Sequence, residues 1–315
     1  MYSRLMLVLA LAIAGFAQTH DPAAPGQMID IGGRRLHLYC VGNGSPTVIV
    51  ENGGGGFSVE WALMQPQIAK TTRICTYDRA GYAWSDRGPT FDAIEQIMDD
   101  AHLMLTKARV SPPYVFVGAS LGALYSRAYQ RRFPHEVAGL VFVDGSPEES
   151  ITLVVDGHPQ PLNHLLANEV EPAYNEYLRS APKLEASRAD APPLDKLPPK
   201  NQEARHWALE KLIVEAGRFP SGLTVAESWR QEFVALHRLR VSSRHALGDL
   251  PLIAIERGVG RDEKLHAMQM QVAALSSRGK LITAEKSGHA IHLEQPEVVI
   301  QAIGEVVAAC RARKR

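Results

Sequence analysis

The stretch YVFVGASLGALYSRAYQRRF, residues 114–133, joins a β-branched and aromatic run directly to a helical pattern. The run is typical of a buried strand, and the helical period begins within two residues after Ser120. A serine is therefore predicted at the tip of a tight strand-to-helix corner, with Gly118 and Gly122 on either side. These glycines give the strained serine backbone room, because a Cβ at either position would strike the adjoining strand or helix.

Ser120 is a candidate nucleophile because such a corner exposes its hydroxyl at the carboxyl end of a strand, where open α/β sheets place their chemistry. The N–H of Leu121 opens the helix and points the same way, so it is a candidate donor to an oxyanion. The G-x-S-x-G pattern is weak evidence by itself. The strand before it and the helix after it give it weight.

A serine needs a base, and the candidate is His289, in the loop between the last predicted strand and the last helix. His292, three residues later, is the competing histidine. We favour His289 because it lies nearer the end of the strand and because Gly288 leaves its backbone free.

The base in turn needs a carboxylate to hold its tautomer. Asp144 ends the strand GLVFVD, and Asp262 follows the strand LIAIERG after the flexible segment VGR. We favour Asp144 because the strand fixes its position, with Asp262 as the alternative acid. Either aspartate could instead cap a helix or be solvated.

Four consecutive glycines, Gly53–Gly56, follow another strand in TVIVENGGGGFSVEW, residues 47–61. Their unhindered backbone amides can close on a small anion. A phosphate-binding loop is excluded because no Lys-Ser/Thr pair follows and no G-x-G-x-x-G is present.

The pattern along the chain predicts an α/β fold with an eight-stranded, mostly parallel, doubly wound sheet. A hairpin around Gly32–Gly33 precedes six strands that are apolar on both faces: TVIVEN, RICTYD, YVFVGA, GLVFVD, PLIAIE and KLITAE. No comparable strand is found between Ser146 and about His245, so we predict a helical cap inserted at 146–246. The core domain would then comprise residues 28–145 and 247–315.

Residues 1–17 have the layout of a signal peptide, with Arg4, an apolar run and small residues before a cleavage point after Ala17. We therefore expect an exported protein, periplasmic or secreted, with no stable membrane anchor. Lys plus Arg and Asp plus Glu are balanced at 34 each, so nucleic acid is not an expected partner. Cys40 and Cys75 each end a strand-like run; buried free thiols are expected, although a bond between them stays open.

Taken together, these residues resemble the α/β-hydrolase superfamily, from about Met28 to the C-terminus apart from the cap. They follow the family order of oxyanion loop, nucleophile, acid and histidine. YDRAGYAWSD, residues 77–86, is similar to the family segment Asp-x-Arg-Gly-x-Gly-x-Ser, with Ala80 in place of the first glycine. The family usually carries His-Gly at the oxyanion loop. Here the pair is Asn52-Gly53, which implies Gly54 as the second N–H donor.

The resemblance implies the serine-nucleophile branch, since dehalogenases and epoxide hydrolases of this fold use an aspartate nucleophile. We expect a carboxylic ester hydrolase that forms an acyl-enzyme with a small-molecule acyl substrate and needs no cofactor or metal. The alternatives are an iminopeptidase-like aminopeptidase, a carbon–carbon bond hydrolase, a haloperoxidase or, least favoured, a binding protein without turnover. An aminopeptidase would need a cap carboxylate from among Glu169, Glu171 and Glu176. Candidate aromatic pocket residues in the cap are Tyr174, Tyr177, Trp207, Phe219 and Trp229.

Overall fold

The computed structural model describes residues 21–89, 94–166, 168–170, 172–173, 176, 192–216, 234, 236 and 245–313. The predicted signal peptide, residues 1–17, lies outside these ranges, and so does much of the predicted cap. Within the described ranges, no helix has both the length and the apolar character needed to cross a bilayer.

Eight strands form one sheet. They are β1 Gln27–Asp30, β2 Arg35–Val41, β3 Thr47–Glu51, β4 Ile74–Tyr77, β5 Tyr114–Ala119, β6 Val137–Val143, β9 Leu252–Arg257 and β10 Gly279–Ala284. Their order across the sheet is β1-β2-β4-β3-β5-β6-β9-β10. The β1–β2 and β2–β4 pairs are antiparallel and the other neighbours are parallel. The predicted α/β class, with an eight-stranded and mostly parallel sheet, is confirmed.

Helices cover both faces of this sheet. Successive strand residues point to opposite sides, and because both sides are apolar, each side has to be covered. On β5, Phe116 packs into one apolar cluster and Val115 and Val117 into the other. The first cluster lies under α2 Ile94–Lys107, α3 Gly122–Arg132 and α5 Glu263–Ala273, and the second lies under α1 Gln65–Ile68 and α7 Pro296–Arg313. Two further helices are α4 Pro199–Ala216 and α6 Ile291–Glu294.

The corner after β5 has the tight packing that the sequence predicted. A Cβ on Gly118 would lie 2.4 Å from the carbonyl oxygen of Gly122, and a Cβ on Gly122 would lie 2.1 Å from that of Glu51. Real carbon–oxygen contacts are far longer than this, so only glycine lets the start of α3 approach the end of β3 so closely.

The expectation of no strand between Ser146 and His245 is wrong at one place. Strands β7 Thr152–Val155 and β8 His158–Pro161 form a separate antiparallel pair directly after the main sheet's β6 and its following loop. Asp156 and Gly157 both have positive φ, 51° and 78°, as a two-residue hairpin turn requires. An Asp-Gly dipeptide between alternating residues was the available signal.

The expectation of free thiols at Cys40 and Cys75 is also wrong, because the two form a disulfide. They face each other directly in the antiparallel β2–β4 register, which the sequence alone did not reveal. Cys310, in α7, is buried, and its Sγ donates to the Ala138 carbonyl at 3.1 Å.

Helix α4 lies in the predicted cap segment and packs on the core. Its residues Ala204, Ala208 and Leu212 share an apolar cluster with Phe57 and Tyr82. Nearer its end, Lys211 Nζ donates to the carbonyl oxygen of Ala83 at 2.6 Å. The boundaries of the cap remain a prediction, since only part of 146–246 is described.

We expect Gly122→Ala to destabilise the protein by at least 1–3 kcal/mol, the usual cost of overpacking, because the new Cβ meets backbone that has no free space. The matched control is Gly304→Ala in α7, where a Cβ would meet nothing within 4 Å. That change should stabilise the helix by about 0.5–1 kcal/mol. Denaturant unfolding of both variants measures the difference, and equal effects would refute the close approach.

Candidate active site

Ser120 lies at the corner in a left-handed backbone conformation, with φ +51°. This region is costly for a residue with a side chain and persists only where surrounding bonds enforce it. Here the Ser120 N–H donates to the carbonyl oxygen of Val143 at 3.0 Å, and its own carbonyl accepts from Ala123 and Ser146. The hydroxyl lies 3.4 Å from that of Ser146, a neighbour that the sequence analysis did not consider.

His289 and Asp144 are brought together although 145 residues separate them. The imidazole Nδ1 is hydrogen-bonded to the Asp144 Oδ2. The aspartate follows β6, has φ +44° and is almost completely buried. The histidine side chain is half exposed. Its loop is held by Glu294, whose carboxylate accepts from the Gly288 N–H at 2.6 Å.

A cation joins this pair. Arg257, at the end of β9, donates from Nε to Asp144 Oδ2 at 2.7 Å and from its backbone N–H to Oδ1 at 3.2 Å. Its Nη2 lies 2.9 Å from the His289 Nδ1. The sequence analysis assigned Arg257 no role; its place at the carboxyl end of a predicted strand was the available signal.

Burial by itself raises the pKa of Asp144, but the hydrogen bonds and charges of His289 and Arg257 outweigh it and the pKa lies below its usual value. A carboxylate whose pKa is lowered on folding stabilises the folded state above its unfolded pKa, near 4. That contribution is lost as the pH falls through the lowered folded pKa.

The two alternative residues have other surroundings. Asp262 caps helix α5, its Oδ1 accepting from the Leu265 N–H at 2.7 Å. His292 stacks on Trp61, with ring centroids 5.2 Å apart, and its Nε2 lies 3.8 Å from Glu60 Oε2. Of the two candidate acids and the two candidate bases, Asp144 and His289 are therefore the ones in contact with each other.

The glycine loop after β3 packs against the corner. A Cβ on Gly53 would lie 3.0 Å from the Ser120 Cβ, and one on Gly54 would lie 3.0 Å from a methyl of Leu121. Among the backbone hydrogen bonds of the described residues, the N–H groups of Gly54 and Leu121 are not donors. Both amides are therefore available near the Ser120 side chain.

Two side chains fix this loop. Arg79 donates from Nη1 to the Asn52 carbonyl at 2.7 Å and from Nη2 to the Gly53 carbonyl at 2.8 Å. The Asn52 side chain accepts from Trp61 Nε1 at 2.7 Å and donates to the Tyr77 carbonyl at 3.2 Å. These bonds hold the backbone of the loop in one conformation beside the cavity. The sequence analysis did not predict that Arg79 binds this loop, although it noted the segment that contains this residue, residues 77–86.

A cavity of about 250 Å³ is lined by several of the candidate residues. Ser120, His289 and Gly54 line it, together with Glu60, Arg205 and His292. Arg205 reaches it from α4 and binds Glu60, with Nε 2.9 Å from Oε1. A larger cavity of about 530 Å³ lies elsewhere, and its walls include none of the candidate catalytic residues. In the described part of the chain, no group of three or more His, Cys, Asp and Glu side chains is arranged to hold a metal ion.

The cap candidates have little described contact with this cavity. Trp207 donates to Asp21 Oδ1 at 2.9 Å and packs against Trp84, so it joins the cap to the core. Glu169 accepts from the Leu166 N–H at 2.7 Å. Five other candidates lie outside the described residues: Glu171, Tyr174, Tyr177, Phe219 and Trp229. Glu176 is described, but its chain neighbours are not, so its role as an amine ligand stays a prediction.

Comparison with known proteins agrees with this fold. The model of the Alpha/beta hydrolase family matches residues 48–302. A 2-hydroxy-6-oxo-2,4-heptadienoate hydrolase of Pseudomonas putida is 30% identical over 131 residues, covering 40% of this chain and 46% of that protein. The chain spans 30%, 43% and 42% of the lengths of three other curated relatives.

Two solved structures have a similar fold. One is a thermophilic esterase from Thermogutta terrifontis, with a TM-score of 0.61 and 17% identity over 88% of this chain and 94% of that one. The other is a meta-cleavage product hydrolase from Pseudomonas fluorescens, with a TM-score of 0.59 and 15% identity over 90% of this chain and 98% of that one. At such identities the likeness shows the fold alone.

If Asp144 orients the base, Asp144→Asn should lower kcat/KM roughly 10³- to 10⁴-fold, because an amide can stabilise the wrong tautomer and carries no charge. Asp262→Asn is the matched control, since asparagine caps a helix about as well as aspartate. Its kcat/KM should stay within about twofold of the unmodified protein. The reverse ranking would make Asp262 the acid.

Proposed function

The chain belongs to the alpha/beta hydrolase family, and from this premise we propose that it is a serine hydrolase that cleaves carboxylic esters through an acyl-enzyme. The observation that carries the proposal is a single cavity lined by the Ser120 hydroxyl and by His289, whose Nδ1 is hydrogen-bonded to the buried Asp144. These are the nucleophile, base and orienting acid that acyl transfer requires.

In the proposed reaction, Ser120 Oγ attacks the ester carbonyl while His289 Nε2 removes its proton. Asp144 keeps the remaining proton on Nδ1 and stabilises the imidazolium that forms. The imidazolium then protonates the departing alcohol. A water molecule, activated by the same imidazole, releases the acid and restores Ser120.

The negative oxygen of each tetrahedral intermediate would be held by the N–H groups of Gly54 and Leu121. Support comes from the packing of the glycine loop on Ser120 and from the two hydrogen bonds by which Arg79 fixes its carbonyls. Fixed amides need not reorganise as charge develops, which is the largest single contribution in many enzymes of this kind.

We propose a short, neutral acyl substrate. The cavity of about 250 Å³ is below the usual range of about 300–1,000 Å³ for sites that take drug-sized ligands. The opposite charges of Glu60 and Arg205, which both line it, offset one another. The small volume leaves little room for a long acyl chain.

A second candidate is hydrolysis of a carbon–carbon bond, which the Pseudomonas putida relative favours. Such a reaction needs a substrate with a ketone next to the cleaved bond. Its leaving group is a carbon that must be protonated, where an ester releases an alcohol; water completes both reactions. Turnover of a 2-hydroxy-6-oxo-dienoate, with no turnover of simple esters, would select this candidate.

A fluorophosphonate probe should label the protein at Ser120, because the probe reacts only with an activated nucleophile. Labelling should disappear in Ser120→Ala and persist in Ser146→Ala, which removes the hydroxyl 3.4 Å away. Mass spectrometry of the labelled peptide gives the site. Labelling of Ser146, or of neither serine, contradicts the proposed nucleophile and favours a protein that binds without turnover.

With nitrophenyl esters of increasing chain length, kcat/KM should be highest for acetate to butyrate and fall at least tenfold by decanoate, since one misfitted methylene costs about 1 kcal/mol or more. Aminoacyl-arylamides in the same panel test the aminopeptidase alternative. A preference for long chains would overturn the small acyl pocket.

A further inference from the structure

One carboxylate oxygen, Asp144 Oδ2, accepts hydrogen bonds from both His289 and Arg257. We propose that Arg257 is a positioning residue of the active site: it holds Asp144 in place and sets a fixed positive charge beside His289 that opposes protonation of the resting imidazole. The inference rests on the proposed function, in which His289 must be neutral to accept the Ser120 proton.

The sheet fixes the arrangement of these groups. Strands β6 and β9 are parallel neighbours with Val143 opposite Ile255, and the Asp144 N–H donates to the Ile255 carbonyl at 2.7 Å. The next residue after Arg257, Gly258, donates to the carbonyls of Ala284 and Ser287. The arginine is thereby tied both to the acid's strand and to the loop that carries His289.

Hydrogen-bond chemistry gives the contact a consequence. A guanidinium only donates, so the imidazole Nδ1 can accept from Arg257 only when its proton is on Nε2. That tautomer cannot take the Ser120 proton. The productive tautomer donates from Nδ1 to Asp144, and Arg257 must then direct its donors to the carboxylate, as its Nε does at 2.7 Å.

The charges around His289 come from five elements. Asp144 follows β6, Arg257 ends β9, and Glu294 in α6 binds the loop backbone. The Glu60–Arg205 pair and His292 line the same cavity. The Glu60 and Arg205 charges offset each other, and Arg257 Nη2 lies 2.9 Å from the imidazole, so loss of Arg257 removes a positive charge in direct contact with His289.

The test is the pH dependence of kcat/KM for nitrophenyl acetate. In Arg257→Gln the midpoint of the acid limb should move to higher pH by about one unit, because a unit charge within about 4 Å no longer opposes protonation of the imidazole. Arg257→Lys keeps the charge, so its limb should stay within about 0.3 unit while kcat falls. Arg261→Gln is the matched control: this nearby arginine pairs with Glu256 instead, and its loss should leave the limb unmoved.

The inference is overturned if a folded Arg257→Gln variant keeps the acid-limb midpoint of its kcat/KM profile in place or moves it to lower pH. If that variant does not melt cooperatively, Arg257→Lys decides, because a shift of a full unit with the charge retained would also overturn it. Failure of the proposed function is distinguished by carbethoxylation of His289 with diethyl pyrocarbonate in the Ser120→Ala background. This reaction needs a neutral imidazole and no turnover, so its pH dependence, followed by peptide mass spectrometry, should show the same shift.

Discussion

The close approach of α3 to the end of β3 is the constraint on which the site depends. Because Gly122 has no Cβ, the helix begins within contact distance of the Glu51 carbonyl. The glycine loop that follows β3 is then forced to pack on Ser120. The serine's unfavourable φ is over-determined by three backbone hydrogen bonds, to Val143, Ala123 and Ser146. The positions of the candidate nucleophile and of the amides proposed to bind an anion thus both follow from one packing contact.

Ionised groups gather at the same end of the sheet, and each has an opposite charge beside it. Glu51 lies 3.5 Å from Arg79, Asp144 is bound by Arg257, and Glu256 by Arg261. A buried charge without a partner would cost several kcal/mol, so these pairs allow polar side chains at the edge of an apolar core. The Glu51–Arg79 pair also holds backbone in place, since Arg79 donates to two carbonyls of the glycine loop.

Periodicity in the sequence predicted what is local or repeats along the chain. It gave the eight main strands and the corner at Ser120, whereas the order of the candidate site residues followed from the family resemblance. It could not reveal what depends on which strands become neighbours. The contact between Arg257 and Asp144 joins residues 113 apart, and exists because β9 lies next to β6. The pairing of Cys40 with Cys75 likewise needs the β2–β4 register.

The β7–β8 hairpin was missed for a different reason. Its turn, Asp156-Gly157, is a local signal in the sequence, but the helical pattern around it outweighed that signal.

The Cys40–Cys75 bond also couples the fold to the redox state of its surroundings. It closes a loop of 35 residues that contains β3, the glycine loop and α1. In the chain-entropy account, a crosslink of this span lowers the disorder of the denatured chain by an amount equivalent to roughly 4 kcal/mol. A thiol-rich environment would withdraw that contribution from the half of the sheet that supports the oxyanion amides, whereas an oxidising one would preserve it. The stability of this half of the sheet therefore depends on the redox state of the compartment as well as on the sequence.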